Sequence, residues 1–209
     1  MIQAILFDFG GVITTSPFDA FENYEREISL PLGAIRQINS TNPDSNAWAK
    51  FERNEVSKQE FMAAFEDEAR SLGYTLRADR VLQCLETTIR PKMIHAIERL
   101  RLDYKIAILT NNLQENVEGS EKNMQSPTAH LSQVIDLVDE VIESSKVGVR
   151  KPEKAFYEKA CKTIDVDPKG CVFLDDLGIN LKPAREMGMK TIKVINEMQA
   201  LIDLYEILG

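Results

Sequence analysis

The stretch QAILFDFGGV, residues 3–12, decides the fold. Its apolar run is typical of a buried strand, and the strand is predicted to end at Asp8, before the tight-turn pair Gly10-Gly11. Two later stretches repeat the pattern of an apolar run followed by polar residues: KIAILTNN at 105–112 and CVFLDD at 171–176. Because parallel strands end at one edge of a sheet, these polar residues are expected to share one crevice.

Five short apolar runs are predicted to be strands: 2–7, 105–109, 138–143, 170–174 and 191–195. Helical patterns alternate with the last four runs, at 91–102, 152–163 and 181–187. Such alternation predicts an α/β fold, in which helices cover a parallel sheet.

Local signals predict where three of the helices begin or end. Pro91 and Pro152 suit the first turn of a helix, where the missing N–H costs nothing. Asn180 is predicted to be an N-cap and Gly188 a C-terminal stop.

A long insertion separates the first two strands, since residues 8–104 far exceed the ~30 residues of a simple βαβ unit. Aromatic residues recur there at helical spacing, which predicts a helical bundle with its own core. We expect a core domain of residues 1–15 and 89–209 and a small helical cap of residues 16–88 above the crevice. The predicted cap helices span 18–28, 32–39, 46–54 and 58–72, and part of the polar stretch 113–132 is expected to be a surface loop.

The composition limits the possible partners and location. The chain has 209 residues and a formal net charge of -8, which argues against large contacts with nucleic acid or anionic lipid. Its three cysteines show no zinc or disulfide spacing, and no apolar run approaches the ~18 residues that cross a bilayer. We therefore expect a cytoplasmic protein that acts on a small molecule, as a monomer or a homodimer.

The residues at the crevice suit phosphoryl transfer. Asp8 is a candidate nucleophile that would form an aspartyl phosphate, and Thr110 and Lys151 could hold the phosphoryl oxygens. Together with Asp8, Asp175 and Asp176 leave an excess of about two negative charges over the one lysine. A Mg²⁺ ion resolves this excess, with the Gly10 carbonyl as a further possible ligand.

Four segments, in order, resemble the four motifs of the haloacid dehalogenase superfamily: ILFDFGGV (5–12), ILTNN (108–112), VGVRKP (147–152) and FLDD (173–176). Two longer stretches look like the phosphatase domain at the N-terminus of soluble epoxide hydrolase: VIESSKVGVRKPEKAFYEKA (141–160) and VFLDDLGINLKPAREMGMKTI (172–192). The resemblance implies a Rossmann-like three-layer core with a parallel sheet and an inserted helical cap.

The resemblance also implies a role for each matching residue. Asp8 would be the nucleophile and a Mg²⁺ ligand, and Gly10 a ligand through its carbonyl. Asp176 would be the direct acidic ligand, with Asp175 beside it. The residues implied to bind phosphate or substrate are Thr110, Asn111 and Lys151.

The sequence departs from the family pattern at Gly10. Typical phosphatases of this family carry there the aspartate that acts as general acid and base. A Mg²⁺-dependent phosphatase for substrates with good leaving groups is favoured, such as acyl phosphates or sugar phosphates. Two alternatives stay open: a metal-independent 2-haloacid dehalogenase and a catalytically impaired metabolite-binding protein.

Overall fold

The computed structural model describes residues 1–111 and 127–209, and its centre is a parallel sheet. The strands are β1 (Ala4–Phe7), β2 (Lys105–Thr110), β3 (Glu140–Glu143), β4 (Cys171–Asp175) and β5 (Lys190–Lys193). Their spatial order is β3-β2-β1-β4-β5, and each neighbouring pair is parallel. The predicted α/β class is confirmed, and all five strands lie within the apolar runs or at their edges.

Helices lie in two groups along the chain. The inserted group contains α1 (Phe18–Glu27), α2 (Ala34–Ser40), α3 (Ala47–Glu52), α4 (Lys58–Ser71) and α5 (Ala78–Gln83). The group that alternates with the strands contains α6 (Pro91–Leu100), α7 (Pro127–Val134), α8 (Ser144–Val147), α9 (Lys154–Ile164), α10 (Gly178–Glu186) and α11 (Glu197–Leu208).

The sheet separates two apolar cores, which gives the molecule its layers. Ile5 and Phe7 of β1 pack on one face with residues of α6 and α11. Ala4 and Leu6 point to the other face, among residues of α9 and α10. Side chains alternate along a strand, so a strand that is apolar throughout must be covered on both faces. β1 is fully buried and therefore fixes the centre of the fold.

Two of the four predicted helix boundaries are confirmed. Pro91 is the first residue of α6, and Gly188 adopts a positive φ of 98° just after α10. The prediction for Pro152 was wrong, because Pro152 lies in a turn and α9 begins at Lys154. The N-cap prediction for Asn180 was also wrong: α10 begins at Gly178, and the Asn180 side chain is used to hydrogen-bond a buried carboxylate.

The helical insertion, residues 16–88, has an apolar cluster of its own. Phe51 of α3 stacks on Phe61 of α4 with 4.5 Å between ring centroids. A capping box between Ser57 and Glu60 begins α4. The sequence prediction missed α5, which has no side-chain cap and buries only Ala78 and Val81. Of the polar stretch 113–132, residues 113–126 lie outside the described residues, and the remainder belongs to α7.

Two neighbouring segments of the chain connect the insertion to the sheet. Thr14 and Ile89 form an antiparallel bridge, and Thr15 N donates to Thr88 O at 2.8 Å. The entry and exit of the insertion are thereby held together beside the end of β1. Within residues 1–111 and 127–209, no helix combines the length and apolar character that a membrane span requires.

Candidate active site

Asp8 lies at the point where the direction of strand order changes. The chain continues from β1 to β2 and β3 on one side, and β4 and β5 lie on the other. Asp8 N donates to Leu174 O at 2.8 Å, which holds Asp8 beside the end of β4. Ligands of open α/β sheets bind at such a switch point, beyond the carboxyl ends of the strands.

Gly11 allows the turn after Asp8 to approach β4 closely. Its φ is 79°, in the left-handed region, and a Cβ on Gly11 would lie 2.2 Å from Asp176 Oδ2. Gly10 differs from Gly11, because its φ of -70° suits any residue and a Cβ there would have no neighbour within 4 Å. The turn therefore requires glycine at position 11, whereas the glycine at position 10 leaves open space.

Lys151 joins two of the carboxylates. Its Nζ lies 2.7 Å from Asp8 Oδ1 and 2.8 Å from Asp175 Oδ2, and the side chain is 1% exposed. Burial alone would lower the pKa of Lys151, but the Asp175 and Asp8 carboxylates raise it above its ordinary value. Lys151 is therefore a permanent cation at the switch point.

Asp175 holds Lys151 in place and is itself held by the start of α10. Its Oδ1 accepts a hydrogen bond from Leu177 N at 2.8 Å, and Asn180 Nδ2 lies 3.1 Å from each of its oxygens. These donors compensate a fully buried carboxylate. They also explain why Asn180 lies within the helix and does not cap it.

Asn111 clamps the backbone of Lys151. Its Oδ1 accepts from Lys151 N at 2.8 Å, and its Nδ2 donates to Lys151 O at 2.9 Å. Thr110, the preceding residue, is buried at the end of β2. The end of β2 therefore fixes the loop that carries the buried lysine.

Three carboxylates form an acidic cluster that fits a divalent cation. Asp8, Asp175 and Asp176 each offer an oxygen within 4.8 Å of the others. Burial and then Asp175 raise the pKa of Asp176 to about 6, while Ser16 Oγ lies 3.4 Å from its Oδ2. Burial also raises the pKa of Asp8; Lys151 opposes this shift, and the other two carboxylates add to it. Excess negative charge of this kind is what a bound Mg²⁺ would neutralise.

The structure brings most of the predicted site residues to one place. Lys151 contacts Asp8 and Asp175, Asp176 lies with these two carboxylates in the acidic cluster, and Gly10 lies in the adjoining turn. Thr110 and Asn111 border them at the end of β2. Sequence reasoning missed three residues that contact this set: Ser16, Glu52 and Asn180. Ser16 and Glu52 make their contacts across the fold, whereas Asn180 contacts Asp175 within the start of α10.

The fold and the site together define a Rossmann-like α/β protein with an aspartate and a lysine at the switch point of the sheet. A family model described as haloacid dehalogenase-like hydrolase matches residues 2–188. The chain belongs to the haloacid dehalogenase-like hydrolases. The predicted family is thereby confirmed.

Three relatives show how the chain compares with curated proteins. Mouse acyl-CoA dehydrogenase family member 10 is 29% identical over 99% of this chain and 19% of its own length. Mouse bifunctional epoxide hydrolase 2 is 39% identical over 57% of this chain and 21% of its own length. The chain thus spans about a fifth of these two longer proteins. A sesquiterpene phosphatase from Aspergillus oryzae is 26% identical over 99% of this chain and 97% of its own.

Three solved structures share the fold at 20% identity or less. A HAD-like family hydrolase from Porphyromonas gingivalis has a TM-score of 0.66, with 98% of both chains covered and 20% identity. A HAD family enzyme from Bacteroides thetaiotaomicron, in complex with magnesium and inorganic phosphate, has a TM-score of 0.59, 92% and 93% coverage and 18% identity. L-2-haloacid dehalogenase from Xanthobacter autotrophicus has a TM-score of 0.61, 99% and 83% coverage and 19% identity.

Proposed function

We propose that this protein is a Mg²⁺-dependent phosphatase of small phosphorylated metabolites that works through an aspartyl phosphate. The observation that carries the proposal is the Lys151 ammonium held between Asp8 and Asp175 beside the acidic cluster. Asp8 contacts a cation and belongs to a cluster that could bind a metal ion. This arrangement suits attack by the Asp8 carboxylate on a phosphoryl group. The solved relative with magnesium and inorganic phosphate supports this assignment.

The chemistry assigns a role to each residue. Asp8 Oδ1 accepts from Phe9 N at 2.6 Å and contacts Lys151, so Oδ2 is the atom assigned to attack phosphorus. The bond from phosphorus to the leaving oxygen breaks, and that oxygen takes a proton from water. Water then attacks the aspartyl phosphate, which releases inorganic phosphate and regenerates the carboxylate. Lys151 and Thr110 stabilise the phosphoryl oxygens.

A metal ion is part of the same proposal. Mg²⁺ would be held by Asp8, Asp176 and the Gly10 carbonyl, with Asp175 beside them, and would neutralise charge on the phosphoryl group. Asp175 takes less part in this, because its oxygens already accept hydrogen bonds from Lys151, Leu177 and Asn180.

Gly10 narrows the range of substrates. With no acid at this position, a leaving group that departs without protonation is favoured, and acyl phosphates and anomeric sugar phosphates have such groups. The net charge of -8 supports a small metabolite as the partner and not a nucleic acid. A cytoplasmic monomer or homodimer, with residues 16–88 as the cap, completes the proposal.

The alternative is 2-haloacid dehalogenation, which the solved dehalogenase relative supports at the level of the fold. A halide leaves without a proton, so Gly10 is compatible with that reaction as well. The acidic cluster favours the phosphatase, because a metal-free dehalogenase has no use for three converging carboxylates.

Product release from two substrate panels tests these functions. Phosphate release is measured from acyl phosphates, sugar phosphates, nucleotides and p-nitrophenyl phosphate, with Mg²⁺ and with a chelator. Chloride release from 2-chloropropionate is measured in the chelator. Mg²⁺-dependent phosphate release supports the proposal, and chloride release without phosphate release overturns it.

An Asp176→Asn variant is expected to stabilise the metal-free protein at pH 7 by about 1–2 kcal/mol. The pKa of Asp176 rises from 3.8 in the unfolded chain to about 6 in the fold. The native state therefore binds more protons between these values, so the stability of the wild-type protein falls as pH rises from about 4 to about 6. Asparagine does not ionise, so the variant avoids this loss of stability.

Urea unfolding at pH 4.5 and pH 7, with and without Mg²⁺, measures both effects. Mg²⁺ is expected to stabilise the wild-type protein at pH 7 by mass action and to have little effect on the variant. Equal stabilisation of both proteins by Mg²⁺ would remove Asp176 from the metal site.

A further inference from the structure

Glu52 is a buried residue of the helical insertion, and its carboxyl group contacts the residues that hold Lys151 in the active site. It ends α3, and its Oε1 accepts from Trp48 Nε1 at 3.0 Å. Its Oε2 accepts from Asn111 Nδ2 at 3.3 Å and lies 2.6 Å from Arg150 Nε. Asn111 holds the backbone of Lys151, and Arg150 precedes Lys151 in the chain. Glu52 therefore contacts the loop that carries Lys151, here called the lysine loop, from two sides.

Glu52 is unsuited to replace the acid absent at Gly10, because both of its oxygens are engaged within the protein. Burial raises the pKa of Glu52 above its ordinary value, although Arg150 and then the Trp48 hydrogen bond reduce that shift. Both of its oxygens already have partners within the protein. A general acid needs a proton on an oxygen that faces the leaving group, and neither oxygen of Glu52 is available for that purpose.

The contact between Glu52 and Arg150 is electrostatic and is not an aligned hydrogen bond. Arg150 Nε is buried and its N–H has no acceptor in hydrogen-bond geometry, although the carboxylate is 2.6 Å away. Arg150 Nη1 instead donates to Pro43 O at 2.9 Å, which is a second contact with the insertion. The two side chains are 16% and 9% exposed, so solvent screens their attraction weakly.

Further contacts dock the end of α3 on the same segment of the core. Ser144 Oγ donates to Glu52 O at 2.7 Å. Arg53, the next residue, lies 3.5 Å from Glu153 through its Nη1. The core segment from Ser144 to Glu153, which contains Lys151, is therefore held by one short part of the insertion.

We propose that Glu52 is a positioning residue that couples docking of the helical insertion to the placement of Lys151. This inference rests on the proposed function for its catalytic meaning. The coupling runs from Glu52 to Asn111, which holds both backbone polar groups of Lys151, and from Glu52 to Arg150, its neighbour in the chain. When the insertion moves away, Asn111 and Arg150 lose their contacts with the Glu52 carboxyl group, and the loop that carries Lys151 loses this constraint.

Such coupling would confine chemistry to the docked state. Lys151 must lie within about 3 Å of both carboxylates to stabilise the phosphoryl group, and a shift of ~1 Å can cost ~10²-fold in rate. An insertion that orders the lysine as it docks makes closure a condition of catalysis.

A Glu52→Gln variant tests the coupling, with Glu55→Gln as the matched control. Both changes remove one negative charge from the same part of the insertion, but Glu55 is about half exposed and pairs only with Arg53 among the described residues. Glu52→Gln is expected to lower kcat roughly 10-fold to 100-fold with a smaller change in KM. The control is expected to stay within about twofold of the wild-type protein.

Hydrogen exchange provides a second readout that does not depend on the reaction. The Lys151 amide donates to Asn111, so the peptide that contains it should exchange about 10-fold faster in Glu52→Gln, while a peptide from α4 stays unchanged. Arg150→Gln removes the ion pair from the other side and should accelerate the same peptide.

The outcomes separate this inference from the proposed function. If the wild-type protein releases no phosphate but Glu52→Gln exchanges faster at the Lys151 peptide, the coupling is supported and the phosphatase function is overturned. Normal exchange and normal kcat in Glu52→Gln overturn the coupling and leave the phosphatase intact. Equal acceleration in α4 and in the lysine loop would show general loosening of the fold and would also overturn the coupling.

Discussion

Asp8→Asn is expected to lose about 10⁴-fold to 10⁶-fold in phosphate release. An amide nitrogen and a neutral amide oxygen are poor nucleophiles, and no aspartyl phosphate can form at residue 8. Asparagine has almost the shape of aspartate, so the hydrogen bond from Phe9 N to Oδ1 at 2.6 Å can persist. The loss would therefore report chemistry and not a collapsed turn.

Mass spectrometry of rapidly quenched enzyme provides the direct measurement for Asp8→Asn. The wild-type protein should gain the mass of one phosphoryl group on the peptide that contains Asp8, and the variant should gain none. Asp79→Asn is a suitable control, because Asp79 is partly exposed and pairs with Arg77 in the insertion, away from the site. Phosphate release within tenfold of wild type in Asp8→Asn would place the nucleophile elsewhere.

The sequence could predict the centre of this site because strand ends are local signals. Asp8 and Asp175 each follow an apolar run, and parallel pairing brings such ends together regardless of their distance in the chain. The pairing of Phe7 with Leu174 then places both aspartates at one edge. Any sequence with a correctly predicted parallel order would allow the same inference.

The supporting residues could not be predicted, either because their local signals point elsewhere or because their partners are distant in the chain. Asn180 is a residue type that is common at N-caps. Its place within α10 is instead determined by the buried Asp175 carboxylate, which needs hydrogen-bond donors. Glu52 ends a short helix in the insertion and is separated from Asn111 by the whole of α4 to α6. Only the docking of the insertion creates the contact of Glu52 with Asn111.

Gly10→Asp is expected to accelerate phosphate release from alkyl phosphates by about 10²-fold, at the lower end of what general acid and base catalysis contributes. The position accepts a side chain without strain, since φ is -70°, ψ is 128° and no atom lies within 4 Å of a Cβ. A carboxyl group there would follow Asp8 by one turn residue, where it could protonate the leaving oxygen and then activate water. The variant also adds charge to the acidic cluster, so its dependence on Mg²⁺ should become steeper.

The dependence on the leaving group distinguishes an acid at residue 10 from a mere change of shape. An acyl phosphate leaves without protonation, so its rate should change little in Gly10→Asp, whereas the rate for an alkyl phosphate should rise. Gly10→Asn fills the same space without an ionisable proton and should leave both rates near those of the wild-type protein. If Gly10→Asn accelerates alkyl phosphate hydrolysis as much as Gly10→Asp, the absent acid is not what limits this enzyme. If neither variant accelerates it, another group already supplies the proton, and Gly10 then marks a different solution to leaving-group protonation.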